Sequence, residues 1–218
     1  MKLCVPANWD ESLYDALRPY PVHELYGSLP TTPVGGGRPS FLIKDITFNT
    51  LENHVAAVHK NGWQFNYLLN SSCCANREYD PVFQKELRNY LGTLQELSVD
   101  SITVATPFLV SFIKHHFPNF TCKASIFLVI DSIEKARWIE KLGADTIKVF
   151  ISKNRDFKFL NNLRKTVSCQ LTMLVNQGCL FACPYTLYHA NSNAHASTID
   201  SSIGDQSVMI CLLKCSIQ

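Results

Sequence analysis

Strand-like and helix-like segments alternate along most of the chain, and this alternation restricts the fold more than any other feature. Short runs rich in Val, Ile, Phe and Tyr occur at residues 3–7, 24–26, 64–69, 101–105, 121–126, 146–150 and 170–175. Between them lie amphipathic stretches at 11–17, 51–60, 81–97, 107–116, 132–142 and 157–165. In the stretch 132–142, for example, Ile133, Ala136, Ile139 and Leu142 share one stripe while Glu134, Lys135, Arg137 and Lys141 face away. Thr50, Asp80 and either Asp131 or Ser132 suit helix N-caps, and Gly62 and Gly143 stand where helices should stop. Strands joined by helical crossovers pair in parallel, which leaves an open doubly wound sheet or a (β/α)₈ barrel. About seven βα units with no dinucleotide fingerprint after the first strand favour a TIM-barrel-like (β/α) repeat. After Val175 the chain turns polar and rich in His, Asn and Ser, without an eighth strand and helix. The expectation is a barrel about one unit short of closure, a short or variant form at the low edge of the roughly 200–400 residues such folds occupy. Residues 1–175 would form the barrel, and residues 176–218 a Cys/His-rich segment packed on its mouth.

Composition narrows the function classes. The net charge of +2 lacks the basic excess of a non-specific nucleic-acid binder. The uncharged run 101–113 contains Pro107 and is too short to cross a bilayer, so no membrane association is expected. Nor does the N-terminus carry an apolar signal core, since Asn8, Asp10 and Glu11 follow at once; the location expected is cytoplasmic. Nine cysteines in a reducing compartment point to metal or cluster ligation, or to buried packing thiols, before disulfides.

Chemistry concentrates just after the seventh strand, at Asn176, Gly178, Cys179, Cys183 and Pro184, followed by His189, Asn191 and His195. Cys211 and Cys215 repeat the Cys-x₃-Cys spacing, so two pairs could supply four sulfur ligands to zinc or an iron–sulfur cluster, and spacing alone does not separate the two. His189 and His195 could act as acid/base groups, or simply be polar loop residues. Gly35, Gly36, Gly37 and Arg38 could form a nest of backbone N–H groups plus a guanidinium for an anion, against the plainer reading of a flexible turn. No Ser/His/Asp order, no His-Glu-x-x-His and no placeable Cys/His dyad is visible.

The stretch from Asn176 to Pro184, with His189, Asn191 and His195, resembles the signature of the collagenase-like peptidase family U32. Tyr26-Gly27 and Gly35–Arg38 resemble that family's second βα loop, Leu68–Cys73 its third, and Arg155–Phe157 with Leu160 its sixth. The resemblance implies a TIM-barrel-like domain first described as a peptidase, with members that bind a [4Fe–4S] cluster and support oxygen-independent hydroxylation of RNA or a small aromatic compound. It implies Cys179, Cys183 and Cys215 as ligands, with Cys73 favoured as the fourth and Cys211 its rival; zinc is the alternative metal. It raises Arg38, Asn70, Asn176 and Asn191 as substrate-binding residues and His189 and His195 as catalytic ones. A related barrel could be a protein partner. Cys4, Cys74, Cys122 and Cys169 are left as packing thiols. Two positions depart from the pattern: Gln177 replaces the usual Glu and Thr186 the usual Arg. Three readings therefore stand: an iron–sulfur hydroxylase-type enzyme, a peptidase of unassigned catalytic type, and an inactive shortened paralogue.

Overall fold

The computed structural model describes residues 1–38, 40–176 and 178–199. The chain runs β1 (Leu3–Pro6), α1 (Ser12–Leu17), β2 (Val22–Gly27), α2 (Phe48–Lys60), β3 (Gln64–Leu69), α3 (Pro81–Glu96) and β4 (Ser101–Val104). It continues through α4 (Pro107–His116), β5 (Thr121–Ala124), α5 (Ile133–Lys141), β6 (Thr146–Lys148), α6 (Phe157–Thr166), β7 (Gln170–Thr172) and α7 (Thr186–His195). All seven strands are parallel and each pairs with its neighbour in sequence, giving the order β1-β2-β3-β4-β5-β6-β7. Among the described residues the result is a seven-unit TIM-barrel-like fold with an open, incompletely closed sheet, as the repeat predicts.

Helices α2 to α6 start where side-chain oxygens accept the first free amides. Asp80, Thr106, Ser132 and Asp156 cap α3, α4, α5 and α6, and Pro81 and Pro107 occupy first-turn positions where no amide hydrogen is missed. The cap of α2 is Thr47, three residues before the expected Thr50, which instead donates its amide to the Thr47 hydroxyl. α7 was not expected. Its mixed Thr/His/Asn/Ser composition carries little helical periodicity, and it buries only small residues, Ala190, Ser192 and Ala194.

One face of the sheet packs against the helices and is almost entirely apolar. Leu25, Phe65, Tyr67, Leu69, Ile102, Val104, Ile147 and Val149 meet Leu51, Val55 and Val58 of α2, Leu87, Leu91 and Leu94 of α3, and Leu109 and Ile113 of α4. Ala136 and Ile139 of α5 and Leu163 of α6 complete this layer, so the stripe read for 132–142 faces the core. Cys74 and Cys122 are buried in it and Cys169 packs at its edge, as expected of packing thiols. Burial pushes the Cys74 and Cys122 thiols up to about 12 and Cys169 to about 11, which keeps them protonated. Cys4 corrects the expectation: it is exposed on the edge strand β1, facing the open interior beside Glu24.

Below β1 and β2, His54 is buried among Trp9, Tyr14 and Phe65, with the Tyr14 hydroxyl 2.6 Å from its Nδ1. Burial pushes the imidazole down to about 4. The unfolded chain, with its histidine near ~6.5, therefore binds the proton more readily than the folded one at intermediate pH. This contribution to stability is fully present above about pH 6.5 and falls as pH drops towards 4. Urea unfolding should show about 2 kcal/mol less stability at pH 5 than at pH 7 from this group. His54→Gln should remove that difference; an unchanged slope would place the titration elsewhere.

Candidate functional site

The other sheet face lines the inside of the open barrel, and it is polar. Side chains alternate across a strand, so Glu24 and Tyr26, Asn66, Ser101 and Thr103, Lys123, Thr146 and Lys148 all point inward. Glu24 is 1% exposed and forms an ion pair with Lys123, which is itself buried. Its other oxygen accepts from Asn66 Nδ2 at 3.0 Å, and Asn66 Oδ1 in turn accepts from the Thr103 hydroxyl at 2.9 Å. The network crosses from β2 to β5 and ties four strands together inside the barrel.

Above it, a cavity of about 280 Å³ opens at the C-terminal ends of the strands. Asn8 and Trp9 follow β1, Tyr26 ends β2, Asn70 follows β3, Ser125 and Phe127 follow β5, and Lys148 rises from the floor on β6. Arg38 lines it from the loop after β2, exposed, and no carboxylate among the described residues does so. Neither Arg38 nor Lys148 makes an ion pair among the described residues.

The glycine loop beside Arg38 is not an anion nest. The amide of Gly35 donates to the Thr32 carbonyl, that of Gly36 to Ser197 Oγ at 2.8 Å, and that of Gly37 to Asn70 Oδ1 at 3.0 Å. The first closes the loop on itself, and the other two dock the segment that follows α7 and the β3 loop. Gly35 has φ +80° and its missing Cβ would lie 2.0 Å from the Ala194 carbonyl oxygen. A Cβ on Gly37 would lie 2.6 Å from Phe127 Cε2. Close approach requires the glycines here, with Arg38 carried at the end of the loop.

Of the residues singled out from sequence, Arg38 and Asn70 meet in the cavity. Asn70 acts as a loop brace through Gly37. Asn191 accepts from Ser72 Oγ at 2.8 Å and so clamps α7 to the β3 loop that carries Cys73. His189 is half-buried on α7, and His195, at its C-terminal end, has a buried Nε2 with no hydrogen-bond partner among the described residues. Neither histidine lines the cavity, and Asn176 is exposed beyond β7. Cys179 is exposed and Cys183 half-buried on the turn before α7, where Cys183 borders a separate cleft with Val129, Phe150 and Leu187. Cys211, Cys215 and Gln177 lie outside the described residues. Among the described residues no three His, Cys, Asp or Glu side chains converge to hold a metal ion. Cys73, Cys179 and Cys183 thus do not by themselves make a cluster site, and a complete ligand set would need thiols from beyond residue 199. Thr186 turns its hydroxyl back to the Cys183 carbonyl at 2.8 Å, a helix-start role that needs no guanidinium.

Sequence reasoning missed Glu24, Asn66, Thr103, Lys123 and Lys148. The signal was present: every second residue of β4, β5 and β6 is polar, as in Ser101-Ile-Thr-Val, Thr121-Cys-Lys-Ala and Thr146-Ile-Lys.

A parallel (β/α) sheet with a polar inner face and a cavity at the strand C-termini is the TIM-barrel-like arrangement, and enzymes of that fold carry their active sites at this mouth. The family model "Peptidase family U32" matches residues 38–185, more than half of the chain, and the chain belongs to that family. It is 29% identical over 174 residues to an "Uncharacterized protease MJ1657" from Methanocaldococcus jannaschii, covering 80% of this chain and 51% of that protein. The chain thus spans about half the length of that curated relative. Among solved structures, "The Structure of the U32 Peptidase Mk0906" superposes with TM-score 0.78 at 24% identity, covering 96% of this chain and 84% of that one. A putative phosphonomutase from Burkholderia cenocepacia superposes with TM-score 0.54 at 10% identity, covering 99% and 91% of the two chains. Likenesses at these identities speak for the fold alone. No helix among the described residues is long and apolar enough to cross a membrane.

Proposed function

We propose that this chain is a peptidase-type hydrolase of unassigned catalytic type that receives a carboxylate-bearing peptide in the barrel-mouth cavity, with Arg38 as the carboxylate anchor. One observation carries the reading: the cavity presents a guanidinium without an ion-pair partner and no acidic side chain among the described residues. Such a site attracts anions and repels none, and a guanidinium matches a carboxylate with two parallel hydrogen bonds. Asn70 and Asn8 add amide groups at the rim, while Trp9, Tyr26 and Phe127 supply apolar walls for the rest of the ligand. The test is hydrolysis of short peptides with free and amidated C-termini, followed by mass spectrometry. Free-acid peptides should be cleaved preferentially, and Arg38→Ala should raise their KM by about 10- to 100-fold with kcat little changed. Equal turnover of acid and amide forms in both proteins would overturn the assignment of Arg38, and absence of any cleavage would overturn the hydrolase.

A second reading is favoured by the accessibility of Cys179 and Cys183 on one turn, in contrast to the buried Cys74 and Cys122. In that reading Cys179, Cys183 and Cys215, with Cys73 or Cys211, bind a [4Fe–4S] cluster or zinc, and the chain modifies RNA or a small aromatic substrate by oxygen-independent hydroxylation. Anaerobically purified protein should then contain iron and sulfide and lose both in Cys183→Ser. Protein without bound iron or zinc would remove this reading.

A further inference from the structure

We propose that Lys148 is a nucleophilic amine that condenses with the carbonyl carbon of a small oxo-acid, whose carboxylate is held by Arg38, to form an imine in the mouth cavity. The proposal shares the Arg38 subsite with the function above but not its hydrolytic step.

Position is the first argument. Lys148 closes β6 on the inward face and rises into the cavity floor, one strand layer above the Lys123–Glu24 ion pair. Its ammonium position lies 5.5 Å from the centre of the Tyr26 ring, and among the described residues it makes no hydrogen bond or ion pair. Most lysines at protein surfaces keep their amine in water. This one is surrounded by protein yet faces open space, so a ligand in the cavity meets it directly.

The surroundings set its protonation. Burial depresses the Lys148 amine, and the neighbouring Lys123 charge depresses it further, while Glu24 and Cys4 act in the opposite sense. The ring of Tyr26 also favours the charged form. Burial is the largest of these influences, and Glu24 is already engaged by Lys123, Asn66 and Ser101. A desolvated lysine beside a second cation is an arrangement that activates an amine as a nucleophile.

The step balances without a further reactant. The neutral Lys148 nitrogen adds its lone pair to the carbonyl carbon, forming a C–N bond and opening the C=O π bond, whose oxygen takes the first of the two amine protons. The carbinolamine then breaks its C–O bond, the hydroxyl leaves as water with the second amine proton, and C=N remains. In the test, borohydride delivers a hydride to the imine carbon and the nitrogen takes a proton, fixing the adduct as a secondary amine.

The full chain is incubated with glyoxylate near neutral pH, reduced with borohydride, digested and mapped by mass spectrometry. Lys148 should be modified at least about tenfold faster than the other lysines, because its amine is desolvated and faces the cavity that Arg38 lines. Lys148→Met should abolish the fast adduct, with melting temperature and circular dichroism confirming that the variant folds. Arg38→Ala should slow trapping by glyoxylate but leave trapping by acetaldehyde unchanged, which separates the anion subsite from the amine. Modification spread evenly over surface lysines, or an undiminished fast adduct in Lys148→Met, would overturn the proposal. Loss of peptide hydrolysis with trapping intact would overturn only the hydrolytic function.

Discussion

Glu24→Gln is expected to destabilise the fold by about 3–5 kcal/mol, because it strands the Lys123 ammonium inside the barrel without its counter-charge. Glutamine is nearly isosteric with glutamate, so the cavity term is small and the loss reports electrostatics. The same substitution replaces an oxygen that accepts from Lys123, Asn66 or Ser101 with an amide that must itself find an acceptor. Chemical denaturation should show the midpoint falling with no large change in slope. Combining Glu24→Gln with Lys123→Met should recover much of the stability, since removing both charges leaves no unpaired ion. If the double variant is as unstable as the single one, the hydrogen bonds to Asn66 and Ser101, rather than the ion pair, hold the interior together.

Gly35→Ala is expected to undock α7. The left-handed backbone disfavours any Cβ, and here the added carbon would meet the Ala194 carbonyl oxygen, a backbone atom on the facing element that no side-chain rotation can move aside. Either the glycine loop or α7 must shift, and the bonds from Gly36 to Ser197 and from Asn193 to Gly37 go with it. A local cost of roughly 3 kcal/mol would raise amide exchange across α7 by about 100-fold while leaving α3 and α4 protected. Gly178→Ala is the control, since nothing lies within 4 Å of its added Cβ. Equal exchange in both variants would mean that α7 does not depend on this contact. Because Arg38 follows the same loop, the Gly35 variant should also weaken carboxylate binding without touching the guanidinium itself.

The repeat of strands and helices was legible because its signal is local. A stripe such as Ile133, Ala136 and Ile139 buries one helix face wherever that helix lands, and Asp80 or Ser132 caps the turn that immediately follows it. α7 escaped because it is held by small residues and by loop contacts more than a hundred positions away, such as Ser72 with Asn191 and Gly36 with Ser197. Parallel strands are usually buried on both faces and apolar throughout, and β4, β5 and β6 are not apolar throughout. Their alternating polar residues pointed instead to a polar interior, a pattern that gains meaning only when strands are stacked in register.

By itself, then, the sequence determined the seven βα units before residue 176 and their parallel sense, since each follows from periodicity within a few turns of chain. Its cysteine and histidine spacing nominated ligands without deciding whether they meet, and Cys211 and Cys215 lie outside the described residues. Only the tertiary structure placed Lys123 opposite Glu24, set Lys148 above them and brought Arg38 to the same cavity. The physical reason is register: a carboxylate on β2 and an ammonium on β5 share a layer only after three intervening ladders fix the stagger of the strands.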